Sequence, residues 1–326
     1  TDPTGAVRCA EPSAGSGPAR GTVIETRFFD RAGRPASSAI HGRGIARVVS
    51  VVDPEDRVTE IRYFDAADHP IANRLGVHSI RTLYADAGPI EETSLGADGL
   101  PVIPGAPAGA GFARRTWAYD EMGHEVEYRT FGPDGAPRPD EHGVAARVRR
   151  YDGDRVVEEV LLGPDGAPAD DADGVARGSW EYDRGGRPVR EAFFDASGVP
   201  VAPRGWVAET RARYDSLGRP VRFDLSPPPA PAGGLRLAAV AIRHEGANAV
   251  AVPLGDGGEP MVADGVSAMR YPRAEWGEPT GCVGPGGLPL RCAPGTELLL
   301  RFLIAPRAVM CPAGSAGAGE DRCSWL

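Results

Sequence analysis

The sequence predicts an all-β fold, an elongated array of about six two-turn β-hairpin repeats followed by a small β-sandwich-like domain. The first observation is an internal repeat, because the hexapeptide Gly-Pro-Asp-Gly-Ala-Pro occupies residues 132–137 and again 163–168. The second is composition, since 44 glycines and 32 prolines recur at fixed places in strand-like sequence. Many turns between short strands are typical of all-β proteins.

Each copy of the hexapeptide has the residues of a tight hairpin turn. Proline fixes φ at the second turn position, Asp134 and Asp165 suit the third, and Gly135 and Gly166 suit the left-handed conformation that follows. Related turns end in a marker proline in every unit. These prolines, separated by 31 to 36 residues, are Pro35, Pro70, Pro101, Pro137, Pro168 and Pro200. The spacing predicts six units within residues 21–225.

A second turn, with the pattern aromatic-Asp-x-x-Gly, alternates with the first, as at Tyr119-Asp120 and Tyr214-Asp215. We expect the aromatic residue to end a strand, the carboxylate to accept backbone N–H bonds and the glycine to adopt positive φ. A catalytic or calcium-binding role is the alternative, but recurrence at turns favours capping. The carboxylates assigned to turn capping are Asp30, Asp65, Asp120, Asp134, Asp165, Asp183, Asp195 and Asp215.

The segment Tyr214-Asp215-Ser216-Leu217-Gly218-Arg219 resembles the YD-type hairpin repeats of bacterial Rhs proteins, and the likeness extends over about residues 26–225. The chain departs from that pattern by alternating two turn types. Its six units are also too few for the large shell that Rhs proteins build. The resemblance implies a β-hairpin scaffold whose activity comes from attached domains.

Changes in composition divide the chain into five predicted parts. An extended Gly-, Ala- and Pro-rich arm covers residues 1–20, and the hairpin array covers 21–225. Residues 226–234, with the sequence SPPPAPAGG, are a linker that is stiff first and then flexible. Largely apolar strands in residues 235–306 favour a β-sandwich-like domain, and 307–326 is a cysteine-containing tail.

Four of the five cysteines, Cys282, Cys292, Cys311 and Cys323, crowd the end of the chain without a Cys-x-x-Cys pair. This spacing disfavours zinc and favours the disulfides Cys282–Cys292 and Cys311–Cys323, which indicate an oxidising compartment. Cys9 is then a free thiol, a competitor for one of those pairings, or a bridge to another chain.

Composition argues against several classes of protein. The 36 basic residues are all arginine, so lysine-dependent phosphate loops, Schiff bases and pyridoxal phosphate sites are excluded. The six histidines lack metal-binding spacing, and no Gly-x-Ser-x-Gly elbow is present. We therefore expect a non-enzyme with no catalytic residues, metal or cofactor. A net charge of −9 disfavours a nucleic-acid partner, and no apolar run is long enough for a membrane span.

These features together favour an exported bacterial structural or interaction protein, with its signal peptide already removed and its place outside the cell or on the cell surface. A loose arm, an odd cysteine and an uncapped first unit favour a homo-oligomer or head-to-tail polymer, such as a filament or surface layer. The alternative is a cell-surface binding module that recognises glycan or peptide by stacking on Trp117, Trp180 and Trp206, although packing within the sheet also explains these side chains.

Overall fold

A computed structural model describes the backbone of residues 8–9, 21–38, 41–42, 44–105, 111–203, 207–226, 237–246, 248–262, 267–272, 281–284 and 289–290. The predicted all-β hairpin array is confirmed, and these ranges contain no α-helix. The strands are β1 Arg8–Cys9, β2 Thr22–Arg27, β3 Arg47–Val52, β4 Val58–Phe64, β5 Ser79–Ala85, β6 Gly88–Leu95, β7 Arg114–Tyr119, β8 Glu125–Phe131, β9 Ala146–Asp152, β10 Arg155–Leu162, β11 Arg177–Tyr182, β12 Pro188–Phe194, β13 Glu209–Tyr214, β14 Pro220–Ser226, β15 Ala239–Glu245, β16 Asn248–Leu254, β17 Ala268–Pro272, β18 Gly281–Val283 and β19 Pro289–Leu290.

The strands lie in two compact units. The first contains residues 1–154 and 159–172, and the second contains residues 155–158 and 173–326. Within the first unit, each strand from β1 to β8 pairs antiparallel with the next one along the chain. Within the second unit, the same pattern extends from β11 to β19. Pairing of neighbours only is the topology of a hairpin ladder.

Seven proline turns in the described residues have the same construction. An apolar residue at the end of the second strand forms an isolated antiparallel bridge to the marker proline six residues later. The bridges are Phe29↔Pro35, Phe64↔Pro70, Leu95↔Pro101, Phe131↔Pro137, Leu162↔Pro168, Phe194↔Pro200 and Leu254↔Pro260. The last bridge was not predicted from the sequence. Gly135 and Gly166 both have φ of 79°, as their turns require.

A small apolar core recurs beside each hairpin. The residue two positions before the first strand is buried in six of the hairpins, with at most 8 % of its surface exposed, whereas in β7–β8 that residue is the partly exposed Phe112 and the next one, Ala113, is buried. The six residues are Ile45, Val77, Val144, Val175, Val207 and Leu237. Next to them, the N–H groups of Ala46, Ala145 and Ala176 each donate to the carbonyl that ends the second strand of the same hairpin, at 2.8–2.9 Å. These hairpins therefore have a buried apolar residue before the first strand and a backbone hydrogen bond that joins the start of the hairpin to its end.

The ladder continues past residues 226–234, where we predicted a domain boundary. β14 pairs with β15 through Arg222↔Ala241 and Asp224↔Ala239, and the β15–β16 hairpin then ends in the Leu254↔Pro260 bridge. The boundaries predicted at residues 20, 234 and 306 fall outside the described ranges and stay predictions, as does a sandwich-like arrangement of residues 235–306.

The hairpin β15–β16 is the most apolar part of the ladder. Ala249 and Ala251 belong to one buried cluster, while Val250 and Val252, on the opposite face of β16, belong to another. A strand that is buried on both faces needs apolar residues at consecutive positions, which explains the unbroken apolar run in this part of the sequence.

Candidate functional site

The aromatic-Asp turns are built around one carboxylate each. In the turn after β13, Asp215 Oδ1 accepts the N–H groups of Leu217 and Arg219 at 2.9 Å, and Oδ2 accepts Arg219 Nε at 2.7 Å. The bond from the Arg219 side chain, with the backbone bonds, lowers the pKa of Asp215 to about 2. Asp53 and Asp183 make the same set of contacts with Arg57 and Arg187.

The proline turns use carboxylates in a similar way, and Asp30 also accepts Arg34 Nε at 2.9 Å. Asp30, Asp65 and Asp195 accept two backbone N–H groups each, from the second and fourth following residues. Asp134 and Asp165 each accept one backbone N–H, from the second following residue, at 3.0–3.1 Å. All of these bonds stay within the turn.

The tyrosines of the aromatic-Asp turns connect successive hairpins. A register shift precedes each of these tyrosines in β5, β7, β11 and β13, as in a β-bulge, which can re-aim a side chain. Each hydroxyl then donates to the carbonyl at or beside the first residue of the second strand in the preceding hairpin. The bonds are Tyr84 to Val58 at 3.2 Å, Tyr119 to Pro89 at 3.0 Å, Tyr151 to Glu125 at 2.9 Å, Tyr182 to Val156 at 3.0 Å and Tyr214 to Pro188 at 2.8 Å. We call these contacts the tyrosine joints. In the hairpin β15–β16, His244 Nε2 takes the place of the hydroxyl, 2.8 Å from the carbonyl of Pro220.

A cation lies over the ring in most tyrosine joints. The residue just before the accepting carbonyl supplies it: Arg57 lies 4.8 Å from the ring centre of Tyr84, Arg155 5.6 Å from Tyr182 and Arg187 5.0 Å from Tyr214. Arg57 and Arg187 are the same side chains that hold the carboxylates of their own turns. In the motif Tyr-Asp-x-x-Gly-Arg, the tyrosine thus bonds to the hairpin before it, and the arginine contacts the tyrosine ring of the hairpin after it.

Two joints depart from this pattern. His124 stands in the place of the arginine and stacks on Tyr151, with ring centres 4.6 Å apart. Gly88 supplies no side chain at all, and the hydroxyl of Tyr119 occupies the space, 2.8 Å from where a Cβ of residue 88 would lie. Burial raises the pKa of Tyr119 to about 12, because the phenolate would lose its hydration there.

The two described tryptophans differ in their exposure and in their contacts. Trp180 is 8 % exposed, packs edge-on against Phe193 and donates its indole N–H to Glu191 at 3.1 Å. Trp117 is partly exposed, packs against Tyr128 and has a guanidinium 5.0 Å from its ring centre. Trp206 lies outside the described residues. Of the two described tryptophans, Trp117 is therefore the more exposed.

The cysteine predictions fall mostly outside the described residues. Cys282 in β18 is 1 % exposed and is bonded in a disulfide. Its pairing with Cys292, and that of Cys311 with Cys323, stay predictions because those three residues are not described. The backbone of Cys9 pairs with Thr26 of β2 in the same chain.

The described residues offer little for catalysis. They contain no cluster of three or more potential metal ligands, and they include no helix with the length and apolar character needed to cross a lipid bilayer. A shallow open cleft of about 340 Å³ lies beside β4 and β5. Its two guanidiniums, of Arg57 and Arg81, are already paired with Asp53 and Glu60. The cleft supports no catalytic assignment.

Sequence reasoning placed the tyrosines, the carboxylates and the backbone bonds that the carboxylates accept, but it missed the acceptors of the tyrosine hydroxyls. It expected each aromatic side chain to pack on its own strand, whereas the hydroxyl reaches a backbone carbonyl 26 residues earlier in four of the five joints. The usable signal was the arginine or histidine that precedes the accepting carbonyl in four of the five joints, Pro89 being preceded by Gly88 instead.

The fold and the tyrosine joints define a class of protein, the tandem β-hairpin repeat array. No protein-family model and no curated protein matches the chain. The chain is similar to a solved structure described as TcdB2-TccC3 without its hypervariable C-terminal region, at 10 % identity and a TM-score of 0.23. The match covers 88 % of this chain and 20 % of that chain, so this chain spans about a fifth of that structure. A likeness at this TM-score carries no argument about fold or function.

Proposed function

We propose that this chain is a YD/Rhs-like structural protein, exported by a bacterium, that associates head to tail into an extracellular filament or surface layer. The observation that carries the proposal is the direction of the tyrosine joints. In all five tyrosine joints the hydroxyl donates toward the preceding hairpin, and in three of them an arginine contacts the tyrosine ring of the following hairpin. An array of this kind has two unlike ends, and unlike ends favour heterologous contacts between copies.

The beginning of the ladder supports the same proposal. In β3, the position that tyrosine holds in later hairpins belongs to Val52, which is buried. Among the described residues, β1 of the same chain pairs with β2 only at Thr26 and Arg27, and the rest of that edge includes Val23 and Ile24, exposed at 39 % and 44 % of their surface. Apolar side chains on an edge strand favour addition of another strand. In the proposal, the arm at residues 1–20 of one copy takes part in this contact.

Sedimentation velocity over a wide range of protein concentration tests the assembly. We expect the apparent mass of the full chain to grow with concentration, and deletion of residues 1–20 to lower it while the circular dichroism spectrum stays unchanged. The variant Cys9→Ser is the matched control, because it keeps the arm and removes only its thiol. A full chain that stays monomeric at every concentration would contradict the proposal.

Export has a separate test. Mass spectrometry of a non-reduced digest should recover Cys282 linked to Cys292 and Cys311 linked to Cys323. Disulfides of this kind persist in oxidising compartments. Recovery of Cys311 and Cys323 as free thiols, or with bound zinc, would remove the main support for an extracellular location.

The second candidate function is a surface module that binds glycan, and Trp117 is the observation that favours it. Trp117 is partly exposed, and an exposed tryptophan offers a face on which a sugar ring can stack; the neighbouring Arg115 is already paired with Glu92 at 2.9 Å. A glycan array with the full chain tests this function. Binding should vanish in Trp117→Ala and persist in Leu217→Ala, which changes an exposed turn residue. Absence of any bound glycan would refute it.

A further inference from the structure

One tyrosine joint contains an ionisable group whose charge changes near neutral pH. At the start of the second strand of the hairpin, the chain has arginine in four places and histidine in one. The arginines are Arg57, Arg155, Arg187 and Arg219. The histidine is His124, in the hairpin β7–β8. An arginine stays protonated at all ordinary pH values, whereas the ordinary pKa of histidine is about 6.5.

His124 is held between carboxylates of two successive hairpin turns. Its Nδ1 lies 3.0 Å from Asp120 Oδ2 in its own turn, and its Nε2 lies 3.3 Å from Asp154 Oδ1 in the next turn. The ring stacks on Tyr151 of β9 at an interplanar angle of 13°. Only the protonated imidazole has two N–H donors, so only that form can donate to both carboxylates at once.

We propose that the joint between the hairpins β7–β8 and β9–β10 is pH-sensitive: it is closed while His124 is protonated and loosens when His124 becomes neutral. The groups that face the imidazole are the carboxylate of Asp120, the carboxylate of Asp154 and the phenol of Tyr151. Beyond that phenol lies the ion pair of Arg149 with Glu125, at 3.3 Å. The nearest charges are therefore both negative, and they favour the imidazolium.

The sign of the pH dependence follows from these contacts. The hydrogen bond that His124 donates to Asp120 raises the pKa of His124 above its ordinary value. A raised pKa means that the stabilisation is complete below about pH 6.5 and is lost as the pH rises through the folded-state pKa. The pKa of Asp120 is lowered, mainly by the backbone N–H of His124. Asp120 therefore keeps its negative charge, and its bond to His124, down to a pH below the ordinary pKa of a carboxyl. The joint is closed at pH values between the pKa of Asp120 and the pKa of His124.

The arginine joints provide an internal control in the same chain. Arg57 makes the equivalent contacts, with its Nε 2.7 Å from Asp53 and its guanidinium over Tyr84. It keeps its charge through the range in which His124 titrates. The substitution His124→Arg places in the β7–β8 hairpin the residue that four other hairpins already have, so we expect this variant to fold.

Hydrogen–deuterium exchange of the full chain tests the proposal. Protection factors, corrected for intrinsic exchange, are compared at about pH 6 and about pH 8 for β8 and β9, and for β4 and β5 as the arginine control. We expect opening at the His124 joint to increase about two- to fivefold at the higher pH, the scale of one partly exposed ion pair, with no change at the control joint. His124→Arg should remove the difference, and His124→Gln should show the high-pH behaviour at both pH values.

Two outcomes would overturn the proposal. One is an unchanged pH dependence in His124→Arg, and the other is an equal change at the two joints. An NMR titration of the His124 ring is the second measurement, and a pKa at or below that of histidine in a denatured chain would also refute it. None of these outcomes depends on whether the chain assembles, so they are separate from the tests of the proposed function.

Discussion

Replacing Tyr182 by phenylalanine removes one hydrogen bond between hairpins and little else. The hydroxyl donates to the carbonyl of Val156 at 3.0 Å in a partly buried position. A phenylalanine ring keeps the volume and the face that Arg155 contacts at 5.6 Å. The variant therefore isolates the contribution of the bond that gives the tyrosine joint its direction.

The expected loss follows from the burial of the two groups. Burial raises the pKa of Tyr182, which shows that the hydroxyl is partly desolvated. Removal of the donor leaves the Val156 carbonyl without its partner in that environment, and such a loss costs about 0.5–1.5 kcal/mol of unfolding free energy. Tyr84→Phe is the matched control, because its bond is longer, at 3.2 Å, and exposed, so that water replaces the hydroxyl. We expect less than half the loss there.

Urea unfolding followed by tryptophan fluorescence measures the effect. Trp180 is buried in the same compact unit as Tyr182, and Trp117 lies in the unit of Tyr84, so each variant has a tryptophan that reports on its own unit. A shift of the midpoint without a change of slope gives the loss of stability directly. Equal losses in Tyr182→Phe and Tyr84→Phe, or no measurable loss in either, would show that the hydroxyl does not hold the hairpins together.

Three further predictions concern turns and ionisable groups. Gly135→Val should cost roughly 1–3 kcal/mol in urea unfolding, because φ is 79° there, and Ala136→Val should cost much less; equal losses would contradict the turn. Melting temperature should fall between about pH 10 and 12, as Tyr119 and Tyr128, both with a pKa of about 12, ionise; a flat profile would refute this. The pKa of Asp215 is lowered to about 2, so its ionised carboxylate should stabilise the fold above about pH 3.9, and this stabilisation should be lost as the pH falls toward 2. The variant Asp215→Asn should show a smaller loss of stability over that range.

The turns could be predicted from the sequence because their causes are local. Proline fixes φ and glycine permits positive φ within the same few residues, so the position of Gly135 and the bridge Phe131↔Pro137 follow from one short segment. The all-β class follows from the recurrence of such segments.

The tyrosine joints could not be predicted in the same way. The acceptor of each hydroxyl is a backbone carbonyl, which every residue has, and it lies in another hairpin. The last proline bridge was missed for a different reason. Residues 226–234 interrupt the turn pattern, and the strands after them are buried on both faces, so their apolar sequence concealed the repeat that ends at Leu254↔Pro260.

The tyrosine joints also make hairpins exchangeable units. Arg155 and Arg187 offer the same cation and are followed by carbonyls that accept the same bond, 32 residues apart. Excision of residues 156–187 would join Arg155 directly to Pro188. The ring of Tyr214 would then meet the guanidinium of Arg155, and its hydroxyl would keep the carbonyl of Pro188 as its acceptor. The chain can gain or lose hairpins by duplication or deletion at its arginine joints without inventing a new contact. Gly88 marks the opposite case, because no other residue leaves room for the hydroxyl of Tyr119.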